Sequence, residues 1–179
     1  MANAGNKIVV NTGLPGFILI DGVTGVEAEN IDGTRVFAGA PTYMGIESLA
    51  QLGAYHVRFL TRFEKHAFLL KINRCMVSAG QFGNGRYLLH GSLISKSESA
   101  FAYNLQARRG DNVSSAKGGL SDETQIAGEF LYATVNYDHI FKKEILRNHY
   151  RKVFSCLRND VRTDCSSRGR PACTEILPK

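Results

Sequence analysis

Tryptophan is absent, and no run of eighteen apolar residues occurs. The second absence speaks against a transmembrane helix. Cysteines stand at 75, 156, 165 and 173 and form no Cys-x-x-Cys pair. A zinc site would need more ligands at tighter spacing, so no metal is expected. Four reduced thiols are the simplest reading, with a Cys165–Cys173 bridge left open. The opening MANAGNKIVV lacks a basic start followed by an apolar core, so a secretory signal is not expected and the chain reads as cytoplasmic. Net charge is also missing from most of the sequence. Residues 1–141 carry equal numbers of cations and anions, and the whole excess of +6 lies in residues 142–179. That basic end lacks interleaved aromatics in its last twenty residues and has no recognition motif, which disfavours nucleic acid as a partner. An acidic protein is the more economical use of the charge.

What remains is an ordinary globular composition. With 179 residues and 44% hydrophobic side chains, the chain can bury a core without help from disulfides or metal. Residues 1–137 are expected to form one domain, and 138–179 a basic helix followed by a loosely ordered tail. Residues 17–29, FILIDGVTGVEAE, read as a strand with a bend or a turn into a second strand, and 34–39 as a short strand. Residues 43–62 read as a helix that is apolar almost all round, yet Glu47 and Gln51 sit four apart in its middle. Strands are expected over 67–77, 86–97, 99–110 and 126–137. In the third of these, Phe101, Tyr103, Leu105 and Ala107 share a face. GQFGNG (80–85) reads as a hairpin loop rather than a phosphate loop, and 111–125 as a long polar loop. From Asp138 to Arg158, apolar residues recur at three- and four-residue steps from Ile140 to Leu157, the mark of an amphipathic helix. A helix too apolar for a surface needs a sheet curled around it. The expected class is therefore α+β, with a mostly antiparallel sheet wrapped around a long central helix and an extra C-terminal amphipathic helix.

Two stretches carry a resemblance. FILIDGV resembles the first strand of β-hydroxyacyl-acyl-carrier-protein dehydratases of the hotdog fold. APTYMGIESLAQLGA resembles their central helix, with Pro41, Thr42, Glu47, Ala50 and Gln51 in the matching places. The form of the motif is nearest a dehydratase-like branch associated with aryl-polyene-type lipid gene clusters, and the likeness spans residues 14–136. The resemblance implies a homodimer or higher homo-oligomer whose subunits build each site together, no cofactor, and an acyl carrier protein or CoA thioester as partner. It makes Glu47 the acid and Gln51 its orienting neighbour. It places Pro41, Thr42 and Tyr43 at the substrate, where open amides of the helix start suit a developing oxyanion. In the family this carboxyl faces an acyl tunnel, where loss of water favours the protonated form.

One departure matters. The family carries a histidine fourteen residues before the helix carboxylate, and that count lands on Gly33. No histidine precedes His56, and Asp32, next to Gly33, is a poor substitute base. A helix carboxylate without the histidine resembles hotdog thioesterases, in which it activates water or attacks the thioester. A third reading is a non-catalytic acyl-binding subunit. Among the remaining residues, Glu47 has the alternative of a structural ion pair with Arg58. His56 falls on another side of the helix from Glu47. His66 and His90 read as strand residues, and His139 and His149 as surface residues. Arg108 and Arg109 read as solvated, or as contacts for an acidic carrier or a CoA phosphate.

Overall fold

The computed structural model describes residues 18–78, 83–110 and 124–158. Six strands and two helices follow in the order β1 (Gly22–Val26), β2 (Asn30–Phe37), α1 (Thr42–Leu60), β3 (Lys65–Val77), β4 (Gly85–Lys96), β5 (Ala100–Arg109), β6 (Thr124–Asn136) and α2 (Lys143–Leu157). The strands form one antiparallel sheet in the order β1-β2-β4-β5-β6-β3. The sheet wraps α1, which packs against β2, β3, β4, β5 and β6. This is the α+β arrangement that the apolar helix called for.

The alternation in β5 is realised in full. Phe101, Tyr103, Leu105 and Ala107 are all buried, with Tyr103 edge-on to Tyr132 of β6 at 5.6 Å between centroids. From the helix side Leu49, Leu52 and Val57 are fully buried. The approach is close. A Cβ on Gly53 would collide with the Tyr132 hydroxyl, which donates to Ala50 O at 2.9 Å. Only glycine lets the helix sit this low on the sheet.

Three expectations change. β3 and β4 do not form the expected hairpin, because β3 pairs with β6 while β4 lies between β2 and β5; residues 79–82 of the connection lie outside the described residues. Of residues 18–29, Gly22–Val26 is strand, and the expected turn into a second strand leads to β2, which starts earlier than residue 34, at Asn30. The terminal helix begins at Lys143 rather than Asp138, because the Asp138 carboxylate accepts the N–H groups of Ile140 (2.8 Å) and Phe141 (2.7 Å) and holds a turn. The expected loop over 111–125 lies mostly outside the described residues, as does the tail beyond 158.

α2 packs on the second half of α1. Phe154 meets Phe63, Phe59 and Tyr55 at 5.6, 5.8 and 6.0 Å between ring centroids. Val153, Phe154 and Leu157 are buried, whereas Ile140 and Ile145 of the expected stripe stay exposed. Lys143 and Arg147 both pair with Glu64 in the turn after α1. Among the described residues no helix is long and apolar enough to cross a membrane.

Candidate functional site

The first half of α1 brings the motif residues together. Pro41 is the N-cap, in extended conformation, and no side chain caps the helix. The Met44 N–H turns back to Pro41 O at 3.0 Å. Thr42 and Tyr43 open the helix, and the Tyr43 side chain is 65% exposed. No acidic residue occupies the first turn, so the helix itself sets no anion against the positive end of its dipole.

Glu47 follows one turn later, half-buried, and its partner is Gln51. Gln51 Nε2 donates to Glu47 Oε1 at 3.1 Å, while Gln51 Oε1 accepts the Leu19 N–H at 2.9 Å. The second bond settles the orientation of the amide. A backbone N–H can only donate, so the Gln51 carbonyl must face Leu19 and its NH2 must face the carboxylate. Leu19 is tied in by its neighbour Asp21, which accepts from Arg35 Nη1 at 2.7 Å and from Val36 N–H at 2.6 Å. Residues 19–21 and β2 thus hold Gln51, and Gln51 holds Glu47.

The Arg58 alternative for Glu47 does not hold. Arg58 Nη2 donates to Ala67 O at 2.7 Å, and its guanidinium lies 3.9 Å from the Tyr150 ring centroid of α2. His56 is a core residue. Its Nε2–H donates to Glu27 O at 2.7 Å, and the Tyr103 hydroxyl donates to Nδ1 at 2.9 Å. With no exposed surface, it is closed to substrate from its own chain or a neighbour. Burial, partly opposed by the Glu27 carbonyl, lowers its pKa and keeps the ring neutral. Burial likewise raises the pKa of Tyr103, and that of Tyr132 with help from Tyr103 and Glu47, so both phenols remain donors. His66 is buried against Phe141 at 4.5 Å, and His149 is half-buried rather than a free surface residue.

Position 33 explains the absent histidine in physical terms. Gly33 faces α1, and a Cβ there would lie 2.9 Å from Leu52 Cδ1 and 3.0 Å from Gly22 O. No side chain fits. Its neighbour Asp32 points to the opposite face of the sheet and pairs with His90, Nδ1 to Oδ1 at 2.8 Å. This pair was not foreseen, because 58 residues separate its members and only the β2–β4 register sets them opposite each other. Among the described residues no group of three or more His, Cys, Asp or Glu could hold a metal ion.

Solved structures share this architecture. The dehydratase heterocomplex ApeI:P from Xenorhabdus doucetiae matches 72% of this chain and 90% of its own, with a TM-score of 0.53 and 12% identity. A thioesterase from Haemophilus influenzae matches 65% and 80%, with a TM-score of 0.52 and 11% identity. The fold is the hotdog fold. A mutant thioesterase from Staphylococcus aureus matches 63% of this chain and 90% of its own, with a TM-score of 0.50 and 10% identity. No protein-family model matches the sequence, and no curated protein does. At these identities the likeness extends to the hotdog fold and no further.

Proposed function

We propose that the chain hydrolyses an acyl thioester carried by an acyl carrier protein or CoA, with Glu47 as the reactive carboxylate. The observation that carries this reading is position 33, where a Cβ would lie 2.9 Å from Leu52 Cδ1 and 3.0 Å from Gly22 O, so the chain supplies no histidine beside the carboxylate. The Gln51 amide orients one oxygen of Glu47. A lone oriented carboxyl suits activation of water better than removal of an α-proton in concert with a second group. Glu47 would take a proton from water as the oxygen attacks the thioester carbonyl. The resulting oxyanion would lie at the open amides of Thr42 and Tyr43, with Pro41 setting the helix start. As the C–S bond breaks, the carboxyl returns its proton to the leaving thiolate. A second copy of the chain would close the site. The long edge strand β3, with Leu70, Met76 and Val77 exposed, offers it a surface.

A second reading keeps Glu47 as the acid of a β-hydroxyacyl-thioester dehydratase. It needs a base from outside this chain's position 33, such as one supplied by a different hotdog subunit. The dehydratase among the structural neighbours is itself a heterocomplex. A non-catalytic acyl-binding subunit is the third reading.

One reaction separates the three. A β-hydroxyacyl thioester on a carrier protein is followed for free thiol and for enoyl absorbance, with the protein as it stands and with Glu47→Gln. Hydrolysis predicts thiol release that falls about 10²–10³-fold in the variant, a loss typical of removing one transition-state contact. Enoyl formation instead establishes the dehydratase. Acyl binding with neither product leaves the binding subunit.

A further inference from the structure

The outer face of the sheet carries a second polar constellation that thioester chemistry leaves unused. Gly33 faces α1 and Leu89 is buried on that side, so Asp32 and His90, one residue before and one after, face outward. They are direct partners across β2 and β4. A carboxylate only accepts, so His90 Nδ1–H donates to Asp32 and Nε2 is the nitrogen presented to a ligand. Beside them β1 bulges at Thr24, between Val23 and Gly25. A bulge at a sheet edge re-aims a side chain. A Cβ on Gly25 would lie 3.3 Å from Asp32 Oδ2, so glycine leaves that flank of the carboxylate open. Arg108 of β5 pairs with Leu88, which sets it diagonal to His90 on the same face. Thr24, Asp32, Leu88, His90 and Arg108 bound a half-open recess of about 220 Å³.

We propose that this recess binds the phosphate group of a small phosphorylated molecule. Arg108 supplies a forked, permanently charged donor suited to phosphate oxygens. The Asp32 carboxylate accepts the His90 Nδ1–H at 2.8 Å, which engages one of its oxygens. His90 Nε2 can donate to a phosphate oxygen as the imidazolium or accept from a P–OH as the neutral ring. The Thr24 hydroxyl adds a donor, and Leu88 gives an apolar floor for the group that the phosphate carries. The proposal is independent of the chemistry at Glu47, because it concerns the other side of the sheet.

The bland alternative is an ion pair that pins the β2–β4 register and binds nothing. Nuclear magnetic resonance of the full ¹⁵N-labelled chain tells them apart. Inorganic phosphate is titrated in one arm and 4′-phosphopantetheine in the other, while amides and the His90 ring nitrogens are followed. Saturable shifts at Thr24, His90 and Arg108 are expected in at least one arm, and the tighter arm identifies the source of the phosphate. Arg108 is exposed, so Arg108→Ala should leave the core resonances in place while weakening binding about tenfold or more, with part regained by Arg108→Lys. His90→Gln should weaken it as well. Absence of saturable shifts in both arms overturns the proposal, and so does unchanged binding by Arg108→Ala.

Discussion

The two halves of α1 each carry polar groups into an apolar helix, and they treat them differently. In the second half, both ring nitrogens of His56 are bonded and the ring has no exposed surface. Arg58 is buried between a backbone carbonyl and the Tyr150 face, under the cover of α2. In the first half, Glu47 is half-buried, held by a single amide, beside a helix start that no side chain caps. A polar group that is bonded and sealed from solvent is scaffolding. One that is oriented but still reachable can do chemistry.

The comparison breaks most readily from the α2 side. Phe154→Ala removes a buried ring that contacts three aromatics, and should cost about 3–5 kcal/mol, read by denaturant unfolding. An unfolding midpoint that barely moves would mean that α2 does not seal the second half. Tyr103→Phe leaves His56 Nδ1 buried without a donor, and a loss of about 1–3 kcal/mol is expected. Thiol release per folded molecule should survive it, and a selective fall in turnover would make His56 more than scaffolding.

Acid should act on the sealed half in the same direction. Burial lowers the pKa of His56, and burial with the Arg58 charge lowers those of His66 and His149. The unfolded chain therefore binds more protons below the ordinary histidine value of 6.5. Stability is complete above that pH and declines as pH falls through it toward the lowered folded values. Urea midpoints between pH 7.5 and 5.5 would show this, and a flat series would refute it. The smallest effect belongs to the open half. Gln51→Leu removes the bridge between Leu19 and Glu47, and turnover should drop about tenfold with roughly 1 kcal/mol of stability lost. A stability loss with full activity would reduce Gln51 to a structural tie.

Much of this division was legible in the residues. The near-continuous apolar pattern of 43–62 announced a wrapped helix, and the i, i+4 spacing of Glu47 and Gln51 announced their bond. The alternation of Phe101 to Ala107 gave one face of β5. Other parts depend on pairings that periodicity does not encode. The segment 80–85 looked like a hairpin loop, but β3 and β4 are not neighbours in the sheet. The partners of His56 come from Glu27 and Tyr103, 29 and 47 residues away. Asp138 looked like the start of a helix, but its carboxylate closes a turn that lays Phe141 on His66. Asp32 and His90 met only through strand register, although each was noticed alone.

The fit at position 33 also constrains mutational routes. Gly33→His alone would drive a ring into Leu52, and trimming Leu52 alone would leave a void under the helix. The Gly22 carbonyl, 3.0 Å from where a Cβ would stand, does not recede when a side chain is shortened. A sequence walking one substitution at a time toward a histidine at that place must pass through a less stable intermediate whichever step comes first. The glycine is a ratchet: simple to keep, and costly to leave in either order.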